Sequence, residues 1–167
     1  MINIVGILLS IVLLLQTCFL VYLADANDDA SVLSFVAALQ LGLNRHFKGA
    51  VDHLRIALDM RMSAGQEDPQ CYLVIYDSVP GGTGYLKGLM RDEKPLFEVF
   101  EAGLHALNTC ACNQDENKDG CYHCVFVYQN SFDRRHVSRR LAQHLLTNIV
   151  TEKANLKRVA GLSTIQL

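Results

Sequence analysis

The chain has 167 residues, half of them apolar and 19% charged, which excludes an intrinsically disordered chain and leaves room for a hydrophobic core of ordinary domain size. Its formal net charge of −2 excludes a globally basic nucleic-acid binder, although not a local basic patch. Of six cysteines, four fall within fifteen residues, a clustering that points to metal before a disulfide scaffold.

Residues 1–24 carry no charged side chain, and as a helix they would cross about 30 Å of hydrocarbon. Ala24-Asp25-Ala26 offers a nominal leader cleavage site, but no Lys or Arg precedes the apolar run and the first basic residue is Arg45. The competing reading packs Ile7 to Leu23 as a buried strand or core helix, because Leu/Ile/Val runs are ordinary in sheets covered on both faces.

After an acidic break, Ser31 is placed to cap a helix to about Phe47, with Val32, Phe35, Val36, Leu39 and Leu43 as its apolar stripe. Leu54, Ile56, Leu58, Met60 and Met62 alternate with His53, Arg55, Ala57, Asp59 and Arg61, the period of a strand with one wet face. Beyond the turn-rich Ser63 to Gln70, Cys71 to Tyr76 reads as an inner strand, so a hairpin is expected near 54–62 and 71–77. Tyr85 to Met90 predicts a short helix. Pro95 opens another, which buries Leu96, Phe97, Val99, Phe100, Leu104 and Leu107. Ser131 or Asp133 is expected to cap a last long helix bearing Val137, Leu141, Leu145 and Ile149. The fold class is α+β: a small sheet, flanking helices and a cysteine-stapled loop. The expected organisation is an apolar segment 1–24, a domain over 31–150 and a weakly structured tail 151–167.

The strongest chemical signal is Cys110-x-Cys112-x8-Cys121-x2-Cys124. Structural zinc takes four soft ligands tetrahedrally, and closely spaced pairs can turn both sulfurs toward one ion. The bridge Asn113 to Gly120 is polar, so a metal replaces the core it lacks. Structural zinc is the first reading, with disulfides and redox thiols as alternatives. His123 is a substitute ligand in principle, but four thiolates already fill a tetrahedral shell. Asp115-x-Asn117-x-Asp119-Gly120 copies half a calcium loop, yet its twelfth position is Phe126 where a bidentate Glu is needed.

Asp77-Ser-Val-Pro80-Gly81-Gly82-Thr83-Gly84 joins a strand to a helix. It reads either as an anion cradle or as a tight turn that needs positive φ, with Asp77 accepting N–H bonds from the turn. No Walker A or Walker B sequence occurs. Arg134, Arg135, His136, Arg139 and Arg140 crowd the expected start of the last helix, where the dipole disfavours cations. Acidic groups of the protein or DNA phosphate would compensate them.

Taken together, Tyr76-Asp77, Pro80-Gly81-Gly82-Thr83-Gly84, the CxC pair and Gly120-Cys-Tyr-His-Cys124-x3-Tyr128-Gln-Asn130 resemble the MrfA-like zinc-binding domain. That domain lies at the C-terminus of superfamily 2 DNA-repair helicases and in the DrmB component of DISARM phage defence. The similarity covers about Ser31 to Val150. It implies that Cys110, Cys112, Cys121 and Cys124 bind zinc, and that Tyr76, Asp77, the glycine turn and Asn130 form a second signature. It also implies helicase ATPase lobes or defence subunits as partners, in the same or another chain.

Because the family's ATPase lobes precede this domain, the chain reads as a detached domain or fragment, non-catalytic on its own. Two other readings stand beside it: an enzyme built on Asp77 and the glycine turn, and a membrane-anchored zinc domain. Four reduced thiolates favour the cytoplasm, so residues 1–24 are expected to pack against the Val32–Leu43 helix or the Cys71–Tyr76 strand.

Overall fold

The computed structural model describes residues 3–13, 16–24, 29–62, 70–91, 93–126 and 134–151. It divides into two compact units, one from Asn27–Val51 with Phe97–Lys153 and one from Ile2–Ala26 with Asp52–Leu96. The Ser63 to Gln70 turn (as far as residue 69), Asn130, the proposed caps Ser131 and Asp133, and the tail past Thr151 lie outside the described residues.

One unit is a four-stranded antiparallel sheet of β1 (Asn3–Leu13), β2 (Gln16–Ala24), β3 (Leu54–Arg61) and β4 (Gln70–Asp77). The spatial order is β1-β2-β4-β3. The apolar start therefore forms two strands, not one spanning helix. Among the described residues no helix is long and apolar enough to cross a membrane. The expected contact with Cys71–Tyr76 is made by β2, whose register on β4 runs from Cys18 opposite Tyr76 to Leu23 opposite Cys71.

The expected hairpin is β3 against β4, in an unbroken register from Leu54 opposite Asp77 to Arg61 opposite Gln70. Along β4 burial alternates: Cys71, Leu73, Ile75 and Asp77 are buried while the residues between them are half-exposed. The apolar row of β3 departs from expectation. Leu54 is buried, but Leu58 and Met60 are exposed. A short helix α1 (Tyr85–Met90) follows the glycine turn and packs against β2.

The second unit is helical. Its long helices are α2 (Asp29–His46), α3 (Glu93–Asn108, from Phe97 onward in this unit) and α4 (Arg139–Thr151). Helix α2 starts two residues before Ser31, which is buried in the first turn and does not cap it. Phe35, Phe97 and Phe100 are fully buried, with Phe100 6.1 Å from each of the other two rings. Helices α2 and α3 approach closely because Gly42 has no side chain: a Cβ there would lie 2.4 Å from the Val99 carbonyl oxygen. Leu104 and Leu141 are half-buried; the core-facing positions near them are Gly103 and Ala142.

The last helix begins later than its sequence suggests. Arg134–His136 form a separate 3-10 turn, and α4 starts at Arg139. The reason is capping. Ser138 Oγ accepts the Leu141 N–H at 3.0 Å, which satisfies a free donor of the first turn. The Ser138 N–H in turn donates to Ser34 Oγ of α2 at 2.9 Å.

Candidate metal centre

The cysteine segment follows the C-terminus of α3. Asn113 turns back to close that helix, its Nδ2 donating to the carbonyls of Leu107 and Asn108 at 2.8 Å each. This contact folds Ala111–Gln114 into a 3-10 turn and directs Cys110 and Cys112 toward Cys121 and Cys124. The four sulfurs all lie within 4.8 Å of one another. Four of their separations are 3.4, 3.4, 3.7 and 3.6 Å. A tetrahedron with zinc–sulfur bonds of about 2.3 Å has sulfurs about 3.8 Å apart, whereas a disulfide needs about 2.05 Å. The spacing fits the ion and not cystine. Cys71, also a free thiol, is buried in the sheet unit.

Two backbone donors prepare the sulfurs for negative charge. The Cys121 N–H donates to Cys124 Sγ at 3.2 Å, and the His123 N–H donates to Cys121 Sγ at 3.4 Å. The His123 ring is exposed and stands outside the sulfur cluster. Without metal, burial pushes the Cys112 thiol far above its ordinary value and Cys124 up to about 11. Burial also raises Cys121, but the His123 N–H and the neighbouring sulfurs outweigh it and hold that thiol low. An arriving ion must therefore displace protons.

Gly120 closes the bridge at φ 142°, and a Cβ there would strike Val125 Cγ2 at 2.6 Å. The calcium-like carboxylates serve the loop. Asp115 accepts the Asn117 N–H and pairs with Lys118 Nζ at 3.0 Å. Asp119 Oδ1 accepts the Arg140 N–H at 2.9 Å, and its carbonyl accepts the Arg139 N–H at 3.0 Å. A carboxylate from the bridge thus caps the dipole of α4.

The arginines divide between two tasks. Arg139 is only 6% exposed and bonds to Asn113 Oδ1, to Gln143 Oε1 at 2.9 Å and to the Lys118 carbonyl at 3.5 Å. Arg140 donates to the Glu116 carbonyl at 2.5 Å. Both clasp the bridge between the cysteine pairs. Arg134 donates to the Tyr122 hydroxyl and lies over its ring, 4.7 Å from the centroid, while Arg135 is exposed. Ser138 immediately before an apolar-periodic run was a legible cap signal. Burial of Arg139 had none.

A cleft of about 830 Å³ opens beside the sulfurs, lined among others by Arg45, His105, Lys118 and His123. Of these, Arg45 and Lys118 stand beside a centre that carries two negative charges once one Zn²⁺ meets four thiolates. They read as counter-charges to that centre. Arg45 also donates to the His123 carbonyl at 3.4 Å.

The glycine turn lies in the sheet unit. Asp77, 1% exposed, accepts the Val79 N–H at 2.9 Å and, on its other oxygen, the Thr83 N–H at 2.6 Å and hydroxyl at 2.5 Å. His53 Nε2 lies 2.9 Å from the Thr83 hydroxyl and 4.0 Å from Asp77. Burial pushes the Asp77 carboxyl up, but Thr83, Val79 and His53 together hold it below its ordinary 3.8. Such a carboxylate is a poor base and a good anchor. Gly81, Gly82 and Gly84 all have positive φ, as a tight turn requires.

A helical unit that carries the four-cysteine cluster, together with a unit built on a small antiparallel sheet, defines the class: an α+β zinc module. The model of the MrfA Zn-binding domain family matches residues 35–125, more than half of the 167 residues, and the chain belongs to that family. Among solved structures, the crystal structure of the DUF1998 helicase MrfA bound to DNA shares the fold, with TM-score 0.51 and 12% identity. The match covers 89% of this chain and 24% of that one, so this chain spans about a quarter of the helicase's length. No curated protein matches the chain.

Proposed function

We propose that this chain is a non-catalytic structural module in which Cys110, Cys112, Cys121 and Cys124 hold one zinc ion and thereby fix the docking of α4. We propose further that it serves a helicase motor in the same or another chain. The observation that carries the reading is the continuity of sulfurs, bridge and helix. The sulfurs stand at tetrahedral spacing, and the loop between the pairs is bonded to Arg139, Arg140 and the α4 N-terminus. A loop with so few apolar residues needs the ion in place of a core.

The helicase part rests on the family and on the fold shared with a helicase of about four times this length. DNA repair and phage defence are the settings this reading implies. The non-catalytic part is supported by the Asp77 carboxylate, whose oxygens are taken up by turn donors. A cytoplasmic location is supported by the need to keep four thiolates reduced. For DNA, Arg139 and Arg140 are engaged with the bridge, so a phosphate contact falls first on exposed Arg135 and on Arg134.

Elemental analysis of protein purified under reducing conditions should find one zinc per chain. Folded, reduced protein without metal would refute the metal assignment. The chain alone should neither hydrolyse ATP nor separate strands. Added to motor lobes, it should raise DNA affinity in a way that Arg134→Ala/Arg135→Ala weakens and makes less salt-dependent. Unchanged binding in that double variant would remove DNA from the reading.

A further inference from the structure

The turn between the second pair of cysteines carries an aromatic ring outward. Tyr122 lies between Cys121 and Cys124 and is 63% exposed. Every other phenylalanine and tyrosine whose burial is described is buried or half-buried. Although exposed, the ring is held. Its backbone is fixed because the Cys124 and Phe126 N–H groups both donate to the Cys121 carbonyl at 3.1 Å. Its side chain is fixed by Arg134, which donates to the hydroxyl at 2.5 Å and places its guanidinium 4.7 Å from the ring centroid. With one face under the guanidinium and most of the residue exposed, the opposite face is left open.

The charge beside the ring is uncompensated. Arg134, Arg135 and His136 follow one another in the 3-10 turn, and all three are exposed. Among the described residues no carboxylate pairs with any of them. Arg139 and Arg140 differ, since both are spent on the bridge. On a chain of net charge −2, a local cationic patch next to a rigid aromatic face is a specific combination.

Few ligands use both parts. An acidic peptide would meet the cations and leave the ring idle. Duplex DNA presents phosphates, but its bases are already paired and stacked. A single strand offers a free base face for the ring and phosphates for the guanidiniums. Building on the DNA contact put forward above, we propose that Tyr122 is a stacking platform for an unpaired base of single-stranded DNA. Arg134 and Arg135 hold the phosphates that flank that base. Stacking tolerates any base, so the site reads strandedness and not sequence. Zinc serves it indirectly, through Cys121 and Cys124, by fixing the backbone on which the ring stands.

The test uses the zinc-loaded 167-residue chain at low salt, with a labelled mixed-sequence single strand and the matching duplex. Tyr122→Leu should raise the dissociation constant for the single strand by about tenfold and leave its salt dependence unchanged, because no charge is removed. Tyr122→Phe keeps the ring face and should bind within about twofold of the parent. Duplex binding should be indifferent to both variants. A fluorescent base analogue within the single strand should be quenched by the parent and by Tyr122→Phe, and not by Tyr122→Leu. Unchanged circular dichroism and zinc content establish that each variant is folded, and quenching by the parent needs no variant. A parent that binds neither form would overturn both the stacking site and the DNA contact on which it rests. DNA binding with an indifferent Tyr122→Leu, or an equal loss on duplex, would overturn the stacking site alone. So would a Tyr122→Phe loss as large as that of Tyr122→Leu, which would assign the side chain to holding Arg134 through its hydroxyl. Tighter binding of the corresponding ribonucleotide strand would move the site from DNA to RNA.

Discussion

Arg139→Met tests whether metal, bridge and helix form one unit. Methionine keeps most of the buried stem and removes the guanidinium. The lost contacts are those to Asn113 Oδ1, to Gln143 Oε1 and to the Lys118 carbonyl. Hydrogen bonds from a charged donor are each worth roughly 1.5–3 kcal/mol. Against this, the variant relieves the desolvation of a buried cation, including an Nε with no partner. The net expectation is a loss of about 3 kcal/mol, which lowers the urea midpoint by about 1.5 M at a slope of about 2 kcal/mol per M. Because Asn113 and Lys118 sit on the bridge between the cysteine pairs, zinc affinity should also fall by roughly 10–100-fold. Urea unfolding of zinc-saturated protein gives the first quantity, and competition with a chromophoric chelator gives the second. Stability within about 0.5 kcal/mol of the parent would refute the clasp. Lost stability with unchanged zinc affinity would show that α4 docks without help from the bridge.

Cys124→Ser removes a buried ligand and should abolish stoichiometric zinc and lower stability by several kcal/mol, since metal-binding energy is here folding energy; full zinc occupancy in the variant would count against the assignment. Gly120→Ala forces a side chain into Val125 at a φ of 142°, so it should cost about 2–4 kcal/mol and weaken zinc retention in the same chelator assay. Asp77 is held below 3.8 in the folded state, so its contribution is complete above that value and lost as the pH falls through the folded value. Between about pH 5 and pH 3 the parent should therefore lose more stability than Asp77→Asn, and parallel pH profiles would exclude the carboxylate as the turn's anchor.

The parts of this fold that the sequence discloses are those with a local physical signal. Apolar spacing announces α2 and α3, alternation announces β3, and the cysteine spacing announces the metal site. The glycine turn was readable because positive φ favours glycine and because Asp77 ends a strand. What resisted reading depends on partners distant in the chain. Residues 1–24 have the hydropathy of a membrane span, and only pairing of β2 with β4 makes them strands. The start of α4 is set by Asp119, twenty residues before Arg139, and by Ser138. Arginine at a helix start reads as surface, yet the bridge carbonyls bury Arg139. The close approach at Gly42 leaves no trace in periodicity, because a missing side chain reads simply as a weak helix position.

The crowding of cations near a helix N-terminus, unfavourable when taken alone, makes sense around a tetrathiolate. Four thiolates and one Zn²⁺ leave two negative charges in a site with little solvent cover. Basic groups hold the segments that carry the sulfurs: Arg45 bonds to the His123 carbonyl, Lys118 lies on the bridge, and Arg139 and Arg140 bond to bridge carbonyls. Lys118 is held charged chiefly by its pair with Asp115, with a smaller contribution from the neighbouring Cys112 and Cys121. Removing the metal lets the raised Cys112 and Cys124 thiols take up protons and so weakens the negative centre. Asp115, paired with Lys118, and Asp119, at the α4 N-terminus, then remain as counter-charges of the bridge. Metal loss should therefore melt more than the cysteine loop. The bridge and the first turn of α4 should open with it, and amide exchange at Leu141 and Ala142 should accelerate together with that of Asn117 and Lys118 on chelation. Protection that persists in α4 while the bridge exchanges freely would mean that the helix is held by its apolar face and not by the charged clasp.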